Sequence, residues 1–452
     1  MTFLSIVTTH GFAAAASVLI YIATTRVRHQ RRTPSTAIAW VLALLFVPYV
    51  ALPLFLLFGS RAARRPAQVP RPQPDGDWVG DYSRALGLPP RRGGRATVHA
   101  DASESMASLF ATIARATSTL DVGVFLFAGD RFGCDVAERL AARCREGVRV
   151  RVMVDGVGLL LKSRDAVALL RASGVDVRIF HAPSVFDLAS VDVRNHRKCA
   201  IADGASVWMG GRNLAGEYFE DRGDASWRDL TFACEGPVVH DIARQFERDW
   251  QGAVSRERDA PSKPLDALAP RPADEGALRF VATGLDQPDD TLRSLILSAA
   301  FRARERFLIA TPYFVPDSAL LDALRLACVR GVDVRILVPA RSNHHFADFV
   351  RGRSLRLLAG VGATIRLCPR MNHAKLVIVD DDIAFAGSAN FDTRSLLINY
   401  EAMVLFTAPE DVARFAEWMT HAFADSGEFV AARAPLWRDL AEGLLLAAAF
   451  ET

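Results

Sequence analysis

Apolar and polar positions along the chain fall into three regimes. Near the amino terminus, residues 36–58 (TAIAWVLALLFVPYVALPLFLLF) carry no charge and have the length needed to cross a bilayer. Residues 3–25 are also uncharged apart from His10, though richer in Thr, Ala and Gly. Together they predict two transmembrane helices within residues 1–60. Pro48 and Pro53 do not exclude the second, since membrane helices tolerate proline. No positive residue precedes the first apolar run, which argues against a signal peptide. The connector (Arg26, Arg28, Arg31, Arg32) and the following segment (Arg61, Arg64, Arg65, Arg71) carry equal numbers of arginines. Charge therefore does not orient the spans.

Beyond residue 60, two Pro-, Arg- and charge-rich stretches, 61–95 and 255–275, lack periodicity and read as linkers. They bracket two bodies, 96–254 and 276–452, with matching patterns. In the first, ASLFATIARA predicts a helix, LDVGVFLF a buried strand, CDVAERLAARCREG a helix and VRVRVMVD a strand. In the second, LRSLILSAAFRA, RFLIATPYF, ALLDALRLACVRG and VDVRILVP repeat that order. Gly147 and Gly331 sit where a helix-ending glycine belongs. Helices alternating with short apolar strands predict an α/β fold, duplicated, with mixed β-sheets flanked by helices and pseudo-two-fold symmetry. The carboxy-terminal LWRDLAEGLLLAAAF is amphipathic early and apolar late, and suits either the body or the bilayer.

Composition narrows the function. Half of the 452 residues are hydrophobic, and the formal net charge is only +3, against a dedicated nucleic-acid binder. The cysteines Cys134, Cys144, Cys199, Cys234, Cys328 and Cys368 have no metal-binding or disulfide spacing. No metal and no cofactor is expected.

The duplication carries the chemistry. HRKCAIADGASVWMGGRN (196–213) and HAKLVIVDDDIAFAGSAN (373–390) both fit H-x-K-x4-D-x6-G-[GS]-x-N. The chain has only four lysines (Lys162, Lys198, Lys263, Lys375), and two occupy the same repeat position. The segments read as strands, so that His and Lys at i and i+2 share a face. Asp203 and Asp380 lie at an odd offset before a turn, and are expected to organise the strand end rather than touch substrate. Return strands bring Asn213 and Asn390 back towards the His-Lys face.

Two imidazoles, two cations and amide donors around one point suit attack on a phosphodiester. One His attacks phosphorus covalently while the other donates a proton to the leaving alkoxide. Lys198, Lys375, Asn213 and Asn390 would stabilise charge on the phosphoryl oxygens. Each imidazole also needs an acceptor on its other nitrogen. Asp229 (in SWRDLTF) is expected to orient His196, and Glu401 (in INYEAMV) to orient His373.

The doubled motif resembles the signature of the phospholipase D superfamily. RRTPSTAIAWVLALLFVPYVALPLFLLFGSR, GGRNLAGEYF, WRDLTFACEGPVV, TPYFVPDSALLDAL, RGVDVRILVP and GSANFDTRSLLINYE are most similar to bacterial cardiolipin synthases. That resemblance implies a catalytic set of His196, Lys198, Asp203, His373, Lys375 and Asp380. It also implies a multi-pass protein of the bacterial inner membrane. Its activity would be phosphatidyl transfer between two phosphatidylglycerol molecules, with phospholipids and the bilayer as partners and neither nucleic acid nor a protein partner implied. A lipid or nucleic-acid phosphodiester hydrolase and a non-catalytic binder of anionic lipid are the alternatives. The near-symmetric motifs leave open which imidazole is the nucleophile, though the family analogy favours His196.

Overall fold

A computed structural model describes residues 3–27, 34–56, 78–181, 193–253, 276–287 and 290–449. The linker expected at 255–275 lies outside the described residues. Two mixed sheets of matching topology make up the body. The first contains β1 (Arg95–His99), β2 (Thr119–Val124), β3 (Arg149–Asp155), β4 (Asp176–Phe180), β5 (Cys199–Ala202), β6 (Ser206–Gly210) and β7 (Thr231–Glu235), ordered β1-β7-β6-β5-β2-β3-β4. The second half supplies β8 (Leu278–Ala282), β9 (Arg306–Ala310), β10 (Phe314–Val315), β11 (Asp333–Pro339), β12 (Thr364–Cys368), β13 (Leu376–Val379), β14 (Ile383–Gly387), β15 (Phe391–Asp392), β16 (Ala402–Phe406) and β17 (Gly427–Glu428). Its main sheet runs β8-β16-β14-β13-β9-β11-β12-β17, the first order repeated with one added edge strand, while β10 and β15 pair separately. In both sheets the strands before the motif pair in parallel and the motif hairpin runs antiparallel to them.

The sequence pattern explains these elements. The strands are short and apolar, and the expected helices form at Ala102–Arg115, Arg131–Arg145, Thr291–Arg302 and Ser318–Val329. Asp101, Asp130 and Asp317 cap three of them through backbone N–H groups. Gly147 and Gly331 take φ of 90° and 88°, the left-handed geometry that a helix-ending glycine supplies without steric cost.

The core has three layers. Phe232, Trp250, Phe280, Phe406 and Phe415 belong to one cluster drawn from both halves, with the helices Val238–Gly252 and Pro409–Ala424 contributing to it. The outer faces are covered separately, by Leu140 and Trp208 in one half and by Leu295 and Phe385 in the other. Burying aromatic side chains of both halves in one layer, at roughly 25 cal/mol per Å² of apolar area, makes the two halves a single body.

Part of the stretch read as the first linker is ordered. Trp78–Ala85 is a helix whose Val79 enters the core of the second half, and Arg92 is buried in an ion pair with Asp241 at 2.9 Å. The apolar spacing of Val79, Tyr82 and Leu86 among the prolines and arginines accounts for the difference.

The amino-terminal region forms helices Phe3–Val27, Pro34–Phe46 and Pro48–Leu54. The second apolar stretch breaks at Val47, where Pro48 starts a new helix. No described helix is long and apolar enough to cross a membrane. The last helix, Leu436–Ala449, packs on the helix His345–Ala359, where buried Glu442 accepts from Arg356 and Arg438.

Candidate active site

Each motif histidine sits on a short segment before its strand, and the opposite half holds that segment. The His196 amide donates to Tyr400 O at 2.8 Å, and the Tyr400 amide donates to Arg194 O at 3.0 Å. In the other copy, the His373 amide donates to Arg228 O at 2.7 Å and the Arg228 amide to Met371 O at 2.8 Å. Both are parallel bridges between halves, Asn195 with Tyr400 and Arg228 with Asn372.

This cross-stitching corrects the expected acid pairing. Glu401 follows Tyr400, and its two oxygens lie 3.0 Å from His196 Nδ1. Asp229 follows Arg228, and its Oδ2 lies 2.7 Å from His373 Nδ1. Glu401 therefore serves His196 and Asp229 serves His373, the reverse of the pairing by half. Periodicity within one half cannot show which half a strand end will face. An imidazole whose Nδ1–H donates to a carboxylate presents its Nε2 lone pair for chemistry.

The lysines and carboxylates beside the two imidazoles are withdrawn from water. Lys198 is fully buried and donates to His196 O at 2.6 Å, and Lys375 donates to His373 O. Burial lowers Lys198 to about 7 and Lys375 to about 8. Burial, reinforced by Lys375, lowers His373 to about 3, and burial also lowers His196 against the opposing pull of Glu401. Lys375 Nζ lies 2.8 Å from His373 Nδ1, but that nitrogen's proton is directed to Asp229, so the lysine acts there as a neighbouring charge. Burial alone would raise both acids, yet His373 and Lys375 hold Asp229 below its ordinary value, and His196 and Lys198 do the same for Glu401. The resting site thus has ionised acids, neutral imidazoles and two lysines poised to be cationic when an anion enters.

The remaining motif residues divide by role. Asp203 accepts from the amides of Thr117, Ser118 and Thr119 at 2.7–2.8 Å and from Thr117 Oγ1 at 2.9 Å. Asp380 accepts from the amides of Arg304, Glu305 and Arg306 at 2.8–3.1 Å. Both have φ near +50°, a strained backbone that those amide bonds hold in place. The pair that family resemblance groups with the catalytic residues lies at the far end of β5 and β13 from the imidazoles, as the turn that each precedes implies. Asn213 braces a loop, accepting from the Leu126 amide at 3.2 Å and donating to Tyr218 Oη at 2.9 Å. Asn390 is buried with its Oδ1 unpartnered among the described residues. Arg212 is buried and donates to Tyr218 O and Thr231 Oγ1.

Sequence reasoning missed several neighbours. Tyr218 and Trp227 pack against His373, with ring centroids 5.2 and 5.4 Å away, and Phe125 packs edge-on to His196 at 5.4 Å. Ser388 donates to Glu401 Oε2 at 2.6 Å, a role hidden in the G-[GS] wobble of the motif. Cys199 next to Lys198 is buried, and burial raises its thiol to about 12, so it supplies no thiolate. His344 is exposed against the edge of Tyr313, while Phe314 lies in the core stacked on Phe391.

Residues 109–250 and 296–423 match the family described as cardiolipin synthase, PLD-like domain. Cardiolipin synthase A of Pseudomonas putida is 33% identical over 427 residues, covering 86% of both chains. The chain belongs to the cardiolipin synthase family. Another member, cardiolipin synthase A of Pseudomonas aeruginosa, is 33% identical over 452 residues, covering 93% of this chain and 89% of its own. Residues 13–60 match a second family, the phospholipase D-nuclease N-terminal segment. Among solved structures, a phosphatidylserine synthase from Haemophilus influenzae shares the duplicated fold, with a TM-score of 0.63 at 14% identity over 82% of this chain and 99% of its own.

Proposed function

We propose that this protein is a membrane phosphatidyltransferase that converts two phosphatidylglycerol molecules into cardiolipin and glycerol. The observation that carries the reading is the pair of imidazoles, one from each half, each backed by a carboxylate of the opposite half beside a buried lysine. His196, Lys198, His373 and Lys375 act on the phosphoryl group. Glu401 and Asp229 orient the imidazoles, and Asp203 and Asp380 hold the strands that carry them.

In the first step Nε2 of one histidine attacks phosphorus and forms an N–P bond. The P–O bond to glycerol breaks, and the departing oxygen takes a proton from the other, protonated imidazole. The anionic phosphodiester supplies the negative charge that raises that imidazole's pKa from its low resting value. In the second step the now neutral imidazole accepts the proton of a headgroup hydroxyl of the second phosphatidylglycerol. That oxygen attacks phosphorus, the N–P bond breaks, and cardiolipin is released. Lys198 and Lys375, once charged, stabilise the negative charge that builds on the non-bridging oxygens in both steps.

Residues 1–60 are the anchor in this reading, placing the protein in the bacterial inner membrane as a multi-pass protein with two spans. The helices there pack through Tyr21, Trp40 and Phe55, with centroids 5.1 and 5.3 Å apart, and turn Phe12, Leu19, Phe46 and Tyr49 outward. The bodies 96–254 and 276–452 then form one catalytic unit.

The test is lipid mass spectrometry after incubating purified protein in detergent with phosphatidylglycerol alone. Cardiolipin and glycerol from the wild type, and neither from His196→Ala or His373→Ala, are the expected result. Phosphatidic acid in their place would make the protein a hydrolase.

A further inference from the structure

Between His196 and Lys198 lies Arg197, whose side chain leaves the opposite side of the chain and runs into the interior between the two halves. It is 4% exposed. Its Nε donates to Glu401 O at 3.0 Å, Nη1 to Asp249, and Nη2 to Thr283 O and to Asp286 at 3.4 Å, while the guanidinium lies 5.0 Å from the ring centroid of Tyr400. Asp249 comes from the first half and also accepts from Asn195 at 3.1 Å. Thr283 comes from the second half, its amide donating to Glu401 O at 3.0 Å and its hydroxyl accepting from the Glu401 amide at 3.2 Å. A single side chain therefore ties the residue next to one histidine to the backbone of the residue that carries its acid. The second motif has Ala374 at this position, so the tie serves only one of the two dyads.

We propose that Arg197 is a positioning residue that sets the distance and angle between Glu401 and His196, and through them the proton-transfer competence of His196. This rests on the reading of His196 as one of the two reacting imidazoles. A planar guanidinium meets carbonyls and carboxylates on several edges at once, which an ammonium cannot do. Burial opposes the charge on Arg197, but Asp249 and Asp286 more than restore it, so the guanidinium stays charged.

Arg197→Lys tests this, because it keeps a cation for Asp249 and Asp286 while removing the simultaneous bonds to Glu401 O and Thr283 O. Rates are measured on folded protein in detergent with phosphatidylglycerol, counting cardiolipin and phosphatidic acid together. The expected result is a kcat lower by about 10- to 100-fold, as for a displacement of about 1 Å in a reacting group. KM stays within about threefold, and the pH profile of kcat is displaced. Arg197→Ala, which leaves buried Asp249 and partly exposed Asp286 without their shared counter-charge, is expected to lose more activity and folded yield. Wild-type kcat and pH profile in Arg197→Lys, or a loss that only follows its folded fraction, would overturn the proposal. A wild type that releases phosphatidic acid and no cardiolipin would overturn the transferase reading, while the same comparison still reports on His196.

Discussion

The two histidine dyads are built to one plan with different furniture. His196 is paired with a glutamate, which is itself held by Ser388 Oγ at 2.6 Å and by Arg197 on its carbonyl. His373 is paired with an aspartate and sits against Tyr218 and Trp227. The acid and its neighbour match in size. A Cβ on Gly211 would come within 2.1 Å of Asp229 Oδ1, so the shorter acid fills the space that Ser388 occupies in the other copy. Each half has thus adapted its strand end to the histidine of its partner. The active site is the joint between the halves, and the duplication persists as an intertwined pair.

That comparison is broken most severely by removing either imidazole. His196→Ala and His373→Ala should each abolish transfer in the lipid assay, since neither half retains a second nucleophile or acid. Equal loss is the point: a variant that kept substantial turnover would show that one dyad alone is sufficient.

Neutralising the acids comes next. Glu401→Gln and Asp229→Asn preserve shape but withdraw the charge that fixes the Nδ1–H tautomer, and should lower kcat by roughly 10² to 10⁴-fold. The crossed pairing sharpens this prediction. Each loss should act across the joint, Glu401→Gln on His196 of the first half and Asp229→Asn on His373 of the second.

Much of this was legible in the chain. The strand–helix order followed from short apolar runs and from the glycines that end two helices, and the repeat located both His-Lys pairs. The place of Asp203 and Asp380 at the strand ends followed from the turn that each precedes. The acids themselves were found, but their partners were not, because Asn195–Tyr400 and Arg228–Asn372 are contacts between halves with no periodic signature. Arg197 and Ser388 were invisible for a related reason. Both occupy positions where the motif allows variation, and only the facing strand shows what each one touches. The break at Val47 belongs to the same class, since a proline inside an apolar run signals a kink without saying whether the helix continues through it.

A smaller effect probes the size match directly. Gly211→Ser pushes a side chain into Asp229, where the nearest atoms are the carboxylate itself, and should reduce kcat by about 10- to 100-fold through His373. Ser388→Gly removes the hydrogen bond to Glu401 and the one that its Oγ accepts from the Ala402 amide at 2.9 Å, and leaves the His196 contact in place, for a loss of about 1 kcal/mol of positioning, or roughly fivefold. If the two substitutions had equal effects in steady-state assays, the fit between acid and neighbour would not be what distinguishes the halves.

The mildest effect is a pH dependence, and it separates the two lysines. Burial lowers Lys198 to about 7 and Lys375 to about 8 in the free enzyme, and a phosphodiester anion binds best when both are ammonium ions. As pH rises through about 7, Lys198 loses its proton first. Above about 8 both are neutral, and binding must then be accompanied by proton uptake. kcat/KM should therefore fall with rising pH in two stages, each approaching tenfold per pH unit beyond its midpoint. The acidic side is set apart from this, because His373 at about 3 stays neutral down to pH values well below the lysine range. Replacing one lysine with arginine, which stays charged, removes one stage. Lys198→Arg should leave only the limb near 8, and Lys375→Arg only the limb near 7, whatever each costs in absolute rate. Profiles of kcat/KM against pH for the three proteins decide the matter, and identical basic limbs in all three would mean that the lysines are already charged throughout and that another group sets the dependence.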